Sequence, residues 1–461
     1  MAKSTAIPIV AERRHTVSIW LLLLGVLAFI VGCVLLFMED GSSSLRTTPP
    51  PLKPRSEAPA RNGVAAINPS VPPIATASAG NASTFPADFL DGLWHEADAA
   101  GISRTTFDRA FTAARGPDNE VVALNASQPE FERTVGDYVT VVATADRAAA
   151  GQSRLSLYGQ LLAELERRYG VDRNILLALW GIESNYGAAK GDRSVIRSLA
   201  TLANAEPRRA ATWRAELIAA LTILEQERIP PEKLTGSWAG AMGHTQLMPT
   251  AFLKNAVNFD GTGRRDVWGS VPDALASAAR FLQAAGWVQG RAWSREVVVP
   301  ADFDYAVAVK SAARSTAAWG ILGVRAQSGI LPANDTAAWQ LIVPAGAGGP
   351  AFLVSQNFDA LLAYNPAYAY AMAVGVLADR IAGNAAIQAA WPASDRPMSR
   401  DQRIELQEIL NSQGFDAGVV DGIVGIKTRD AVRGYQKAHS LPADGHPSVD
   451  LLSRLRSGRR L

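Results

Sequence analysis

The sequence contains almost no cysteine, few histidines and no excess of charge of one sign. Its single cysteine, Cys33, excludes an intramolecular disulfide and any metal site built from several thiolates. The five histidines are scattered along 461 residues without the spacing of metal ligands, so we do not expect a zinc enzyme. With 45 Lys and Arg against 43 Asp and Glu, the chain is not strongly basic, and we expect no nucleic-acid partner.

A long apolar run lies near the N-terminus. Residues 17–38 carry no charge, and a helix of about 20 apolar residues crosses the roughly 30 Å of hydrocarbon in a bilayer. Basic residues precede this run, and Glu39 and Asp40 follow it. We therefore predict a cytoplasmic N-terminus at residues 1–15 and a transmembrane anchor or signal segment at residues 16–38.

Two other interpretations of this segment stay open. The first is a cleaved secretory signal, although such signals normally have a shorter apolar stretch and a small-residue cleavage site, which is not evident here. The second is a lipoprotein, because Ile30–Cys33 resembles the processing box in which the cysteine becomes lipidated. Val34–Met38 continues the apolar run beyond that cysteine, which favours the uncleaved anchor. Each interpretation places the body of the protein outside the cytoplasmic membrane, and the two anchored forms attach it to the cytoplasmic or the outer membrane.

The remainder of the chain divides into a linker and a helical body. Residues 39–85 are rich in Pro, Ser and Ala and poor in large apolar side chains, which predicts a disordered linker. Beyond them, apolar residues recur three and four positions apart, as in Leu155–Leu165, Leu217–Leu224 and Ala274–Leu282. This spacing predicts a mainly α-helical domain over residues 86–394.

Short strands interrupt the helical pattern inside this domain. Three segments have the composition of strands: Val297–Val299, Trp339–Val343 and Phe352–Val354. Pro344–Pro350 makes a turn between the last two, so we predict a small β insertion. Trp391–Pro397 then breaks the pattern and predicts a separate small domain over residues 395–461.

One helix carries an acidic residue among apolar ones. Asp172 is suited to begin this helix and Gly187 to end it. Ile175, Leu179 and Ile182 follow helical spacing, and the next turn places Glu183 on the same apolar stripe. Burial disfavours the charged carboxylate and raises its pKa toward about 6, where it can donate a proton near neutrality. The alternative is a structural carboxylate satisfied by an arginine or the backbone.

Three ordered blocks resemble a known family. Gly181–Gly187 resembles the Glu-Ser-x-x-Gly signature of lytic transglycosylases, lysozyme-like enzymes that cut the glycan of bacterial peptidoglycan. Gly236–Thr250 and Tyr364–Val374 resemble the second and third blocks of the membrane-bound B type. The resemblance implies a lysozyme-like α-helical catalytic domain with a small β insertion, in a protein at the periplasmic face of the bacterial envelope.

The resemblance also implies an activity and a site. Glu183 would be the single catalytic acid and base, cleaving the β-1,4 bond between N-acetylmuramic acid and N-acetylglucosamine with formation of a 1,6-anhydro end. The implied partner is the peptidoglycan glycan strand, and no cofactor is implied. The residues implied to bind sugar are Ser237, Gln246, Tyr364, Asn365 and Tyr186. Gly240–Gly243 would let the glycan come close to the backbone. Trp180, Tyr186 and Trp238 are candidates for stacking on sugar rings.

The segment Asn258–Gly269 resembles the EF-hand-like calcium loop of the subfamily. Gly263 stands at the sixth position, where such loops turn sharply. The candidate ligands are Asn258, Asp260, Thr262 and Asp266, which supply only two carboxylates. We predict a loop that keeps its shape with weak calcium binding or none.

The C-terminal segment resembles a peptidoglycan-binding module over nearly all of residues 400–456. Ile404–Leu410 is helical by its period, and a second helix is predicted from Thr428 to His439, capped by Thr428. Asp421, Gly422 and Gly425 are interpreted first as residues that shape the loop between these helices.

Two other functions remain open beside the lytic transglycosylase. A lysozyme-type hydrolase would cut the same bond with water, and an inactive scaffold would only bind the wall. A serine hydrolase is disfavoured because Ser184 lacks the Gly-x-Ser-x-Gly elbow and a matching histidine.

Overall fold

The protein is described by a computed structural model that covers residues 84–127 and 133–458. The predicted N-terminus and anchor, and the linker up to residue 83, lie outside these residues. Within them, no single helix has the length and apolar character needed to cross a bilayer. One pair of helices, Gln356–Tyr364 and Tyr368–Ile381, meets that test only when taken together, and the two are bent by 116°.

Helices build most of the body that precedes the C-terminal domain. In chain order they are α1 Ala87–Ala99, α2 Arg104–Ala114, α3 Asn119–Ser127, α4 Val135–Val142, α5 Ala145–Leu157, α6 Gly159–Tyr169, α7 Arg173–Ser184, α8 Val195–Ala205, α9 Ala210–Glu227, α10 Pro249–Asn255, α11 Val271–Ala284, α12 Thr316–Ile321, α13 Gln356–Tyr364 and α14 Tyr368–Ile381. Apolar side chains of all these helices except α12 form one continuous core. The segment Leu155–Leu165, whose spacing predicts helix, is helical, with a break at Tyr158 between α5 and α6.

Helix α7 lies at the centre of this core. The Asp172 carboxylate accepts a hydrogen bond from the backbone N–H of Asn174 at 2.7 Å, which confirms the predicted N-cap. The helix packs against α5, α6, α11 and α14. Every residue from Ile175 to Ser184 is buried, so the predicted stripe faces the core and the rest of the helix surface is buried as well. Because neighbours surround this helix on all sides, it has no solvent face on which a charge could lie.

Two small sheets complete the body. The first pairs β1, Arg193–Ser194, with β2, Thr235–Gly236. The second is the predicted insertion, an antiparallel sheet in the order β4-β3-β6-β5. Its strands are β3 Ser294–Val298, β4 Arg325–Ala326, β5 Gln340–Ile342 and β6 Ala351–Val354. Two of the three predicted strands agree with β5 and β6 within one residue at each end, and β3 begins three residues before the predicted Val297. The insertion has its own apolar cluster around Trp319 and Trp339.

The C-terminal domain consists of α15 Arg400–Ser412, α16 Ile426–Ala438 and α17 Val449–Gly458, packed around a separate apolar cluster. The predicted cap at Thr428 is wrong. Helix α16 begins two residues earlier, after Gly425, and the Thr428 hydroxyl donates to the Ala417 carbonyl at 3.1 Å. The interpretation of Asp421 as a loop-shaping residue agrees with its side chain, which accepts from the Ile423 N–H at 2.8 Å.

Candidate active site

Glu183 lies in the last turn of α7, where this helix meets α14. Its side chain is 2% exposed, and the Tyr370 hydroxyl donates a short hydrogen bond to its Oε1 atom. Burial raises the pKa of Glu183 well above its usual value, and the hydrogen bond from Tyr370 opposes that rise. This shift favours the protonated carboxyl group, which is the form that a general acid needs, and the carboxylate left after proton transfer can act as a base.

The chain reverses direction immediately after Glu183. Asn185, Tyr186 and Gly187 all have positive φ, at 48°, 57° and 90°. A side chain at Gly187 would lie 2.4 Å from the His244 ring, so only glycine fits this position. The Ser184 hydroxyl accepts from the Gly187 N–H at 3.0 Å and donates to the His244 carbonyl at 2.6 Å. Ser184 and Gly187 therefore join the end of α7 to the second sequence block.

Side chains of the second block are built into tight turns. The Ser237 hydroxyl accepts from the backbone N–H groups of Ala239 and Ala241 at 3.3 and 3.1 Å. Gln246 has φ 51°, and its Nε2 atom donates to the carbonyls of Lys190 and Gly243 at 2.9 and 2.8 Å. The Oε1 atom of Gln246 makes no hydrogen bond to any residue that the structure describes, so it remains an acceptor for a ligand.

The third block contributes two buried residues and a bend between α13 and α14. The Tyr364 hydroxyl donates to the Thr245 carbonyl at 2.5 Å, which holds the second block against α13. Asn365 ends α13, and its Oδ1 accepts from the Ala367 N–H at 3.0 Å. Both side chains are nearly inaccessible, and the contacts of Asn365 are those of a helix-end turn.

The aromatic and glycine residues considered for sugar contact are used by the protein itself. Trp180, Tyr186 and Trp238 are all buried, so the idea that they stack on sugar rings is not supported by their positions. The Tyr186 hydroxyl donates to the Arg147 carbonyl at 2.7 Å. Internal contacts require glycine at positions 240 and 243. A Cβ atom at Gly240 would lie 2.7 Å from Leu199, and one at Gly243 would lie 2.2 Å from Val267.

Carboxylates in the calcium-like loop are occupied by backbone N–H groups. Asp266 Oδ1 accepts from Trp268 and Gly269 at 3.0 and 2.7 Å, and Asp260 Oδ1 accepts from Thr262 at 3.0 Å. No hydrogen bond of the Asn258 side chain is recorded, and no group of three or more acidic, histidine or cysteine side chains within the described ranges could hold a metal. The loop thus offers two carboxylates, both of which already accept backbone N–H groups, whereas calcium takes six to eight oxygen ligands.

Four residues that the sequence did not single out organise this region. Tyr370 contacts Glu183, and the His244 ring accepts from Trp180 Nε1 at 3.0 Å. Asp273 is fully buried and closes the calcium-like loop by accepting from the N–H groups of Phe259, Asp260 and Asp266 at 2.7, 3.0 and 2.9 Å. Glu216 is a second buried glutamate. Tyr370 lies within the third block and six residues beyond Tyr364, so the block was the available signal for it.

Comparisons with known proteins identify the family of the chain. The family model of the transglycosylase SLT domain matches residues 86–379, and that of a peptidoglycan binding domain matches residues 399–455. The first match covers more than half of the chain, and the chain belongs to the transglycosylase SLT-domain family. The predicted family is thus confirmed, as is the predicted mainly helical, lysozyme-like fold with a small β insertion and a helical C-terminal domain.

The similarity to one curated relative covers part of each chain. Membrane-bound lytic murein transglycosylase B of Escherichia coli K12 is 32% identical over 244 residues, which are 52% of this chain and 65% of that protein. The match therefore spans slightly less than two thirds of this curated relative.

Solved structures extend the comparison. SltB3 from Pseudomonas aeruginosa, in complex with NAG-NAM-pentapeptide, is 47% identical with a TM-score of 0.73, covering 80% of this chain and 98% of that one. Slt35 of Escherichia coli, in complex with calcium, is 27% identical with a TM-score of 0.53, covering 64% of this chain and 91% of that one.

Proposed function

We propose that this protein is a lytic transglycosylase that cleaves the β-1,4 bond between N-acetylmuramic acid and N-acetylglucosamine in peptidoglycan. The observation that carries the proposal is the position of Glu183, a buried carboxyl group that contacts Tyr370 beside the second and third blocks. Membership in the transglycosylase SLT-domain family and the peptidoglycan-binding match support the same substrate.

Glu183 performs both proton transfers in this proposal. Its protonated carboxyl gives a proton to the glycosidic oxygen, and the bond from that oxygen to C1 of the muramic acid breaks. The resulting carboxylate then takes the proton from the O6 hydroxyl of the same sugar while O6 bonds to C1. The products are a free N-acetylglucosamine hydroxyl and a 1,6-anhydro end, and Glu183 is again protonated. The acetamido group of the substrate stabilises the developing charge, which replaces the second carboxylate of ordinary retaining glycosidases.

The surrounding residues divide between ligand contact and positioning. Gln246 offers its Oε1 atom as an acceptor, and the Ser237 hydroxyl retains a proton to donate, so both are proposed to bind sugar. Tyr364 holds the second block through Thr245, and Asn365 shapes the bend before α14. Tyr186 is proposed to support the loop after Glu183 rather than to touch the glycan.

The rest of the chain is proposed to bring this site to the cell wall. Residues 395–461 would hold the enzyme on peptidoglycan and raise the local concentration of substrate. Residues 1–15 would lie in the cytoplasm and residues 16–38 in the membrane, with residues 39–85 as the linker to a catalytic domain at 86–394. Labelling for lipid on Cys33, together with the mass of the mature N-terminus, separates the uncleaved anchor from a lipoprotein and a secreted form.

Product analysis tests the activity. We expect mass spectrometry of peptidoglycan digested by the purified protein to find 1,6-anhydro ends, and the Glu183→Gln variant to release none. Reducing ends, which are heavier by one water, would instead identify a lysozyme-type hydrolase. Equal release by the parent and the variant would refute the role of Glu183, and no release by either would indicate a scaffold.

A further inference from the structure

A cavity of about 120 Å³ lies between the C-terminal domain and the body. On the body side it is lined by Tyr368 and by Tyr370, whose hydroxyl contacts Glu183. On the opposite side it is lined by Arg429 and His446 of the C-terminal domain. The cavity therefore draws its walls from both domains, and Tyr370 is the lining residue that connects it to the proposed catalytic carboxyl group.

The lining of this cavity carries an excess of positive charge. Four arginines contribute to it: Arg133, Arg396, Arg403 and Arg429. Among the described lining residues, Asp395 is the only acidic one, and its Oδ1 atom lies 3.0 Å from His446 Nε2. The acidic side chain is thus already engaged. Of the four arginines, Arg396 pairs with Asp450 at 3.2 Å, and Arg403 donates to the carbonyls of Gly422 and Met398.

Arg429 is the most unusual of these cations because it is 9% exposed. Within the described part of the chain, no carboxylate lies within 4.0 Å of it, and its Nε atom has no hydrogen-bond partner. Its guanidinium lies 4.6 Å from the centre of the Tyr368 ring, a contact that offsets only part of the cost of burying a cation. The buried His446 Nδ1 atom likewise lacks a partner among the described residues.

From this arrangement we infer that the cavity binds a carboxylate of the peptide attached to the glycan substrate, with Arg429 as the principal donor. This inference rests on the proposed function. A guanidinium presents two parallel N–H groups that match a carboxylate, and the peptides of peptidoglycan carry free carboxylates. The C-terminal domain then forms part of the substrate site and is more than an anchor on the wall.

Isothermal titration with a defined muropeptide tests the inference. The Glu183→Gln variant, which is expected not to turn over its ligand, is titrated with GlcNAc-MurNAc-pentapeptide and with the same compound after amidation of its carboxylates. We expect amidation to raise Kd by about tenfold, the loss of one charge-assisted contact. Adding Arg429→Gln to the titrated chain should abolish that difference, and Arg429→Lys should retain part of it because the charge remains.

Controls separate a ligand contact from a structural role. Arg456→Gln removes an exposed arginine of the same domain that pairs with Glu405, and it should leave the effect of amidation intact. If Arg429→Gln weakens both ligands equally, Arg429 only holds the domains together and the inference is wrong. The comparison of the two ligands does not need the Arg429 variants, so it decides the question even if Arg429→Gln does not fold.

Two further measurements identify the ligand and test the inference separately from the proposed function. Acetate that binds as tightly as the muropeptide would show that the cavity takes a free anion, which contradicts a peptide site. Conversion of peptidoglycan by the parent protein, followed by mass spectrometry, reports the proposed function separately. Equal affinities for the two ligands, with an active parent, would refute the peptide-carboxylate site and leave the transglycosylase activity standing.

Discussion

The end of α7 and the middle of α9 each contain a buried glutamate, and the two differ in what surrounds them. Glu183 is 2% exposed and contacts the Tyr370 hydroxyl. Glu216 is 1% exposed, and its two carboxylate oxygens accept from the backbone N–H and the hydroxyl of Thr250 at 2.9 and 2.7 Å. Thr250 lies in the first turn of α10, where a negative charge is stabilised by the helix dipole.

Burial alone therefore does not identify a catalytic acid. Desolvation raises the pKa of both groups, to about 6 for Glu216 and well above the usual value for Glu183. Glu216 uses its oxygens to tie α10 to α9, which is a structural role. Glu183 instead lies beside two blocks of a catalytic family, so it is the carboxyl group to which we assign proton transfer.

The largest expected effect comes from replacing each glutamate with glutamine. Glu183→Gln should lower kcat by at least about 1000-fold, because the amide can neither give nor take the proton. Glu216→Gln should retain more than about half of the parent rate. Release of soluble muropeptides per unit time measures both. If the Glu216 variant lost as much activity as the Glu183 variant, the assignment of roles would be wrong.

Removal of the Tyr370 hydroxyl should have the next largest effect. Its hydrogen bond opposes the rise in the Glu183 pKa, so Tyr370→Phe should raise that pKa further. The acid must be protonated to act, so the alkaline limb of kcat/KM should move to higher pH. The rate at neutral pH should nevertheless fall by about tenfold, because the carboxyl group loses the hydroxyl that positions it and that donates to the carboxylate formed on proton transfer. The control is Tyr305→Phe, whose hydroxyl lies in the β insertion. An unmoved limb in the Tyr370 variant would contradict the predicted coupling.

Glu216 should make stability depend on pH. Its pKa is about 6 when folded against an ordinary 4.5, so the folded state binds the proton more tightly. The associated stabilisation is fully present below pH 4.5 and is lost as pH rises through about 6, a change of about 2 kcal/mol. Urea unfolding of the parent and of Glu216→Gln between pH 4 and 7 measures it. The free energy of unfolding of the variant should decline less over this range, and parallel curves would count against the prediction.

Calcium should have the smallest effect. Asp273, a third buried carboxylate, already closes the calcium-like loop through three backbone N–H groups. If Kd is about 1 mM or weaker, 1 mM calcium adds at most about 0.4 kcal/mol of stability. Thermal unfolding with calcium and with a chelator should give nearly equal midpoints. A micromolar Kd by isothermal titration would overturn this expectation.

Several features of the site were predictable because they depend on neighbouring residues. The N-cap at Asp172 needs only one acceptor side chain at the start of a helix, and Glu183 lies in the Glu-Ser-x-x-Gly signature. The roles of Asn365 and Trp180 were not predictable. The residues next to each of them in the sequence are the same whether its side chain faces a ligand or the interior of the protein. Gly187 was predicted to end the helix, but the helix ends at Ser184 with Asn185 as its left-handed cap. The His244 ring that requires glycine at position 187 lies in another block.

By itself, the amino-acid sequence determined the helical class, the β insertion, the C-terminal domain and the acidic residue at position 183, since periodicity and short motifs specify these locally. Only the tertiary structure decided that α7 is enclosed on every side and that Tyr370, 187 residues from Glu183 along the chain, supplies its hydrogen bond. The protonation of a carboxyl group depends on the dielectric and the donors around it. Those are set by elements distant in the chain, which no local pattern describes.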